Sequence, residues 1–488
     1  MREKWARYQL DLQEALLKAL FIAYYNRVSC SDRDLALLLR RLHEHKFGQN
    51  PRTMSLLDDG ARETLVKIGH LGVLLLLACL NLEAYSSSSA SAPTRIGSDT
   101  LRTLSDFLLA APPCPQLGPV LLAWATLLDH YQAADEAGNI LQLQGASGGV
   151  AAALSQEQQK AFGARAIQLN AIGYLHGVFA DGCFENEPNL IGFQYVVYGL
   201  ITAMTASFPR LTEQPLLVLL YRDAFLSNVF TSACFWEKDL PHPGRNLLFE
   251  QTRSRFPHRF SNYVELMSSL VNDFDSALRV FALLESADRF TSTFSLSVAG
   301  SEGPSPSGPG LIQLRRPCAV EVTQVYPVES ASFQLEAGTV GQRSKLLDPV
   351  SGKDVPVVVW YARYSCFDIF FAIIDAFLTQ TRQSLSKGIH FQQVTSILSL
   401  CGRLIPHFVQ PDLLSEAQHH AFALLSRALL PRLFDVLQAV ISFVVSPRFQ
   451  AADISHQVLC DALKATIECI ELYARHDQVR VWKYMRTR

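Results

Sequence analysis

The chain of 488 residues carries ten cysteines, yet none stands in a Cys-x-x-Cys pair or at a short regular spacing. That absence excludes the usual zinc-ligand and disulfide-framework patterns and leaves buried free thiols as the reading. No Asn begins an Asn-x-Ser/Thr acceptor, and the charged start Met1-Arg2-Glu3-Lys4-Trp5 lacks a signal-peptide core, so secretion is not indicated. Neither sign of charge is in excess: the net is −2, with a pI near 6.7. No basic footprint for nucleic acid exists, and Arg40-Arg41 and Arg315-Arg316 are isolated doublets. Phosphate motifs of the P-loop or G-x-G-x-x-G kind are missing, so no cofactor is expected. Long greasy runs are missing too. Leu71 to Leu82, Leu216 to Tyr221 and Phe367 to Leu378 all fall short of the ~20 residues that cross a bilayer, so no membrane span is expected.

What is present is helix after helix. Composition is 49% hydrophobic and 18% charged, as expected where many helices are buried on two sides. A chain this long exceeds one hydrophobic core and must be multidomain or an extended array. Tyr8, Leu12, Leu16 and Leu20 recur at four-residue steps with Glu14 and Lys18 between them, an apolar stripe that calls for a neighbouring helix. Ser31 with Asp34, Ser155 with Gln158 and Ser415 with Gln418 read as capping boxes that start three further helices. Late apolar faces run through Leu433, Val436, Leu437, Val440, Ile441 and Val444, then through Leu459, Leu463, Ile467 and Ile470. Breaks fall at Ser86 to Asp99, Pro112 to Pro115, Gly145 to Gly149, Pro209 and Pro241 to Gly244. No fixed period repeats, which disfavours ankyrin and tetratricopeptide arrays and leaves irregular HEAT-like or armadillo-like pairs. The last helical pattern runs almost to Arg488 without a polar cap, so the chain is expected to be a segment of something longer.

One island breaks the helical pattern. Between Leu311 and Ser365 the apolar residues alternate or cluster as in strands: Val320, Val322 and Val325, then Phe333 and Leu335, then Val355 and Val357 to Trp360. Ala337-Gly338-Thr339 and Asp348 to Gly352 supply the reversals. Gly300 to Gly310 is nearly all Gly, Ser and Pro and reads as a flexible linker. The expected fold is all-α: an irregular HEAT/armadillo-like α-solenoid with a small inserted SH3-like β-barrel. Its divisions are residues 1–299 (solenoid), 300–310 (linker), 311–365 (barrel) and 366–488 (solenoid continuation).

Candidate chemistry is thin. Gly145-Ala146-Ser147-Gly148-Gly149 fits the G-x-S-x-G nucleophile elbow, but only Ile140 to Gln144 offers a preceding strand and no βα alternation surrounds it. His43-Glu44-His45 and His419-His420 lack the i, i+4 spacing that places two imidazoles on one helix face, so no metal site is expected. Cys460 and Cys469 point to opposed sides of one helix, and Asp58-Asp59 reads as surface charge. The expectation is therefore no catalytic, cofactor-binding or metal-binding residue, and no enzyme; partner-binding residues are not readable.

Two segments carry a resemblance. The first is Phe235-Trp236, then Pro243-Gly244-Arg245 and Arg255-Phe256-Pro257, leading into a helix from Tyr263 to Leu270. The second is Leu335 to Gly341 followed by Val359-Trp360-Tyr361-Ala362-Arg363-Tyr364-Ser365. Together they resemble the large inner-ring scaffold nucleoporins of the nuclear pore complex, of the nucleoporin-188 type; the sister 192 or 205 type shares the first segment more than the second. Ala337 departs from the Pro-like turn of the pattern. The resemblance implies a structural, non-enzymatic constituent of the inner ring at the nuclear envelope. Its partners would be other nucleoporins, through their linear linker segments, and it would have no direct nucleic acid and no small-molecule substrate. No Phe-Gly repeat array is present, which suits scaffold and not permeability barrier. The rival readings are a helical-repeat adaptor or trafficking scaffold outside the pore and, third, a hydrolase built on Ser147.

Overall fold

The computed structural model describes residues 2–26, 30–48, 54–83, 96–141, 156–184, 186–208, 211, 214–239, 246–293, 302–304, 310–321, 332–347, 353–383, 389–408, 416–445, 456–476, 478, 481, 482 and 486. The chain is mostly helical and divides into two compact units, Met1–Leu248 and Phe249–Arg488.

In the first unit the helices are α1 (Arg2–Asn26), α2 (Asp32–Glu44), α3 (Asp59–Leu80), α4 (Ser98–Ala110), α5 (Leu117–Leu141), α6 (Gln156–Gln168), α7 (Ala171–Ala180), α8 (Leu190–Ser207), α9 (Pro215–Phe225) and α10 (Val229–Cys234). Helix α3 is the hub. From Ile68 to Ala78 every residue is buried, and Val73, Leu74 and Leu75 have no exposed surface. A helix apolar on all sides must be covered on all sides, and α1, α2, α5 and α8 pack around it. The run Leu71 to Leu82, read as too short to span a membrane, lies up to Leu80 in α3, a helix of 22 residues; α3 and the 18-residue α8 are long and apolar enough to cross one. Burial of 72% and 67% of their apolar windows within the structure accounts for that composition as core packing. Asp58 caps α3: its Oδ1 accepts from the Ala61 amide at 2.8 Å, and its Oδ2 accepts from Arg7. It is a cap and not idle surface charge.

Helix starts fall where the capping boxes place them. Ser31 Oγ accepts the Asp34 amide at 3.1 Å and donates to the Asp34 carboxylate at 2.6 Å. Helix α6 begins after Ser155, and α16 (below) after Ser415, although those two serines lie outside the described residues. The stripe on α1 is a correction. Tyr8, Leu12, Leu16 and Leu20 are 41–64% exposed, while Leu10 and Phe21 are buried. Glu14 and Lys18, counted as the polar side, face inward as ion pairs, with side chains only 16% and 24% exposed. A pattern of apolar residues alone does not see that a paired carboxylate and ammonium can be the buried face.

The second unit contains α11 (Leu247–Ser254), which starts at its boundary, α12 (Phe260–Leu270), α13 (Phe274–Glu285), then a β region, then α14 (Cys366–Gln383), α15 (Ile389–Phe408), α16 (Glu416–Val445) and α17 (His456–His476). Helix α15 packs against α12 and α17, and α14 against α16. The face of α17 that is buried passes through Ala462, Thr466, Cys469 and Tyr473, with Ile467 52% exposed; it is offset from the expected Leu459 to Ile470 stripe because small residues let α15 approach closely. On α16, Leu433, Val436 and Val440 are buried but Ile441 is 48% exposed, narrowing the expected face. Val444 and Leu459 side chains lie outside the described residues.

The strands are β1 (Phe290–Thr293), β2 (Glu302–Pro304), β3 (Leu311–Leu314), β4 (Cys318–Glu321), β5 (Ser332–Leu335), β6 (Val340–Leu347) and β7 (Asp354–Tyr361). Five form an antiparallel sheet in the order β1-β7-β6-β3-β2, and β4 pairs with β5 in a separate hairpin. Two strands come from outside the expected island. β1 precedes it, and β2 lies in the stretch read as flexible linker. Strand pairing needs only backbone donors and acceptors, so a Gly/Pro-rich stretch carries no side-chain signal for it. Val322, Val325 and the turn Asp348 to Gly352 lie outside the described residues. Trp360 seals the sheet, fully buried, its indole N–H donating to Ser292 Oγ of β1 at 3.0 Å. Gly338 turns with φ +91, its amide donating to Leu314 O at 2.7 Å.

Phe256, of the Arg-Phe-Pro segment, is fully buried against Tyr263 and Phe370, with ring centroids 5.1 and 6.2 Å away. Its carbonyl accepts from the Thr291 amide at 2.9 Å, so the segment holds β1 against the helices of this unit. Phe235 and Trp236 are buried in the first unit.

At Gly341 a Cβ would fall 2.6 Å from Trp360 Cε3 and 2.7 Å from Val358 Cγ1. Gly341→Ala is expected to cost the second unit ~1–3 kcal/mol by overpacking against an immovable indole. Gly177→Ala, whose Cβ meets nothing within 4 Å, should be neutral or stabilise α7 by ~0.5–1 kcal/mol. Urea unfolding of both variants, with hydrogen exchange on β6 and β7, checks the pair.

Candidate functional site

Three elements of the first unit frame a cleft. Helix α1 supplies Tyr24 and Tyr25; the end of α3 and the residues after it supply Leu77, Ala78, Asn81, Leu82 and Glu83; and α8 supplies Tyr195, Val196, Gly199 and Leu200. The empty space, counted to its solvent-open mouth, is about 460 Å³. Asn81 ends α3 in the left-handed conformation (φ 44), its amide donating to the Leu77 and Ala78 carbonyls at 3.2 Å. That reversal sends Glu83 across α8, where Gly199 leaves room: a Cβ there would touch Glu83 Cβ at 3.4 Å.

Tyr195 donates its hydroxyl proton to the Glu83 carboxylate. Burial first, and the Glu83 charge second, push the Tyr195 phenol far above its ordinary range and Tyr25 up to about 12. Both tyrosines therefore stay protonated donors at any physiological pH. Tyr25 meets Tyr195 edge-on at 6.0 Å, and half-exposed Phe230 leans on Tyr195 at 5.0 Å. The result is an aromatic wall around one carboxylate, beside the negative end of a helix dipole. Such a site suits an apolar side chain followed by a cation or other donor; it holds no nucleophile and base pair.

The same three elements are clamped by a charge quartet. Lys18 of α1 bridges Glu14 and Glu187, each at 2.7 Å, and Lys67 of α3 reaches the same two carboxylates at 3.1 and 3.3 Å. Glu187 lies in the turn entering α8. Burial alone would raise the Glu14 carboxyl, but hydrogen bonds and charge from Lys18 and Lys67 hold it below its ordinary 4.5.

The candidates weighed from the sequence fall as follows among the described residues. Helix α5 runs through Ile140 and Leu141, the first two residues of the expected strand; the rest of that segment and Ser147 lie outside the described residues. His43 packs on Phe107 at the end of α2, and His45 is that helix's C-cap. His420 pairs with Glu285. Among the described residues no group of three His, Cys, Asp or Glu could hold a metal ion. Cys460 is exposed and Cys469 buried, as their spacing implies. The expectation of buried thiols is corrected in part: Cys234, Cys318, Cys366, Cys401 and Cys469 are buried, but Cys30, Cys79, Cys114 and Cys183 are partly accessible. Neither the cleft nor the quartet was signalled by sequence, since each joins residues from distant segments.

No protein-family model matches the chain. Against curated proteins the alignment is end to end. Nucleoporin NUP188 of Homo sapiens is 22% identical over 99% of this chain, and NUP188 of Xenopus tropicalis is 22% identical over 98%. The chain is similar to nucleoporin NUP188. The mouse protein, Nucleoporin NUP188 of Mus musculus, gives the same identity over 99%. The chain spans about a quarter of the length of these relatives.

The quartet makes an acid prediction. Because Glu14 binds a proton less tightly folded than unfolded, its contribution is complete above pH 4.5 and fades as pH falls through the lower folded value. Glu14→Gln should cost on the order of 1 kcal/mol at pH 7, the scale of a solvent-screened pair. Denaturation of wild type and variant at pH 7 and pH 3 checks this: the gap should narrow in acid.

Proposed function

We propose that the chain is a structural, non-enzymatic part of the nuclear pore complex, located at the nuclear envelope. In this reading it belongs to the inner ring and supports nucleocytoplasmic transport of protein and RNA. It would do so as a helical scaffold that docks linear segments of other nucleoporins. The observation that carries the reading is the end-to-end similarity to NUP188. The arrangement of helices supports a HEAT/armadillo-like solenoid in each unit. The antiparallel sheet with its separate hairpin, inserted between α13 and α14, supports an SH3-like barrel. The divisions 1–299, 300–310, 311–365 and 366–488 remain the proposed domain plan, with β1 and β2 contributed to the barrel from before residue 311.

In this reading the docking site is the tyrosine cleft. A linear segment places one or two side chains at a time into a groove of this size, and aromatic walls around a carboxylate favour segments that mix apolar and basic residues. No membrane span, nucleic acid or small-molecule substrate enters this reading.

A fluorescently tagged chain should give a punctate nuclear rim; a diffuse signal overturns the pore assignment. In vitro, Val196→Arg, which fills the cleft mouth without touching the core of α3, should weaken binding of synthetic linker-nucleoporin segments at least tenfold. Unchanged affinity would move the docking site away from the cleft and leave the localisation intact.

A further inference from the structure

Helix α1 turns an apolar face to solvent. Trp5, Tyr8, Leu12 and Ile22 are 42–66% exposed, and Ala15 and Ala19 between them are exposed as well. The other side of the helix, where Leu10 and Phe21 are buried, is the one that packs on α3. The six exposed residues follow one another at alternating steps of three and four, the a/d spacing of a coiled coil, sustained over three heptads from Lys4 to Tyr24. We propose that this seam pairs with the same seam of a second copy of the chain, forming a two-fold antiparallel coiled coil of two α1 helices.

Size and charge both select that occupant. In a two-fold contact residue i meets j and j meets i. Antiparallel pairing over the full seam sets Trp5 against the partner's Ile22, Tyr8 against the partner's Ala19 and Leu12 against the partner's Ala15. Each layer then joins a bulky residue to a smaller one, so the two helices keep an even spacing along their length. Parallel pairing would stack Trp5 on Trp5 and Tyr8 on Tyr8 but Ala15 on Ala15 and Ala19 on Ala19, wide at one end and thin in the middle. The rim agrees. Asp11, which is exposed, and Lys18 share one edge of the seam at equivalent g positions. Antiparallel pairing brings the Asp11 carboxylate of each chain beside the Lys18 ammonium of the other, whereas parallel pairing faces these charges with Leu16 and Ala23. Lys18 already bridges Glu14 and Glu187, which fixes where its ammonium stands before a second copy arrives. Leu16, exposed at the neighbouring e position, widens the apolar strip.

A lipid surface fits this face less well. Helices that lie on membranes flank their apolar side with Lys and Arg, and here Asp11 follows Lys4 along the edge that would meet the headgroups. The inference stands on α1 alone and does not depend on the nuclear-pore reading or on the cleft.

Sedimentation equilibrium of the full chain tests it: monomer should pass to dimer as concentration rises. Leu12→Glu and Ala15→Glu, both at exposed positions, should each abolish the dimer and leave the melting temperature of dilute protein unchanged. Asp11→Lys should weaken association roughly fivefold, the scale of two solvent-screened pairs turned repulsive. Zero-length carbodiimide cross-linking of mixed light and heavy-isotope-labelled chains should link Asp11 of one chain to Lys18 of the other, a product of the antiparallel arrangement. Monomer at every soluble concentration overturns the proposal, as does a dimer that both glutamate variants leave intact. Monomer that co-sediments with phosphatidylcholine–phosphatidylserine vesicles, and loses that binding in Leu12→Glu, overturns it in favour of a membrane face.

Discussion

The burial of helix α3 on every side is the constraint from which the first unit follows. Eleven successive residues from Ile68 to Ala78 without an exposed face cannot be satisfied by one neighbour, so α1, α2, α5 and α8 must all converge. An apolar cylinder of this kind gives little angular information, because any rotation of α3 about its axis buries as much surface. Orientation is supplied by what is polar: the Asp58 cap, the Lys67 contacts with Glu14 and Glu187, and His70 meeting the Tyr174 hydroxyl at 2.7 Å. Buried ion pairs add little net stability, but a misplaced one is costly, so they select one rotation among many.

That division of labour explains what the sequence made legible. Helix starts carry their own chemistry in adjacent residues, so Ser31 and the breaks around Pro112 to Pro115 located α2 and the α4–α5 join correctly. The rotation of a helix depends on partners elsewhere. On α1 the apolar count pointed to Tyr8, Leu12, Leu16 and Leu20, yet the face that packs contains Glu14 and Lys18, whose partners lie on α3 and before α8. On α17 the same error came from small residues: Ala462 and Thr466 bury because they permit close approach, not because they are greasy.

The β region shows a related asymmetry. Its central strands were readable because Val357 to Trp360 must be buried between neighbours, and Gly338 and Gly341 mark a turn and a close contact. Its outer strands were not. Phe290-Thr291-Ser292-Thr293 is polar at three of its four positions, and its buried Ser292 is satisfied by Trp360, so the pattern that hides it is the hydrogen bond that fixes it. Edge strand β2 is held by backbone pairing with β3 and needs no side-chain signature.

The cleft is a by-product of how α3 ends. A helix apolar all round has to stop where its cover stops, and Asn81 stops it by turning left-handed, which exposes the last carbonyls and throws Leu82 and Glu83 over α8. Gly199 admits that crossing, and Tyr195 then meets Glu83, so the carboxylate at the mouth is positioned by the termination of the core helix.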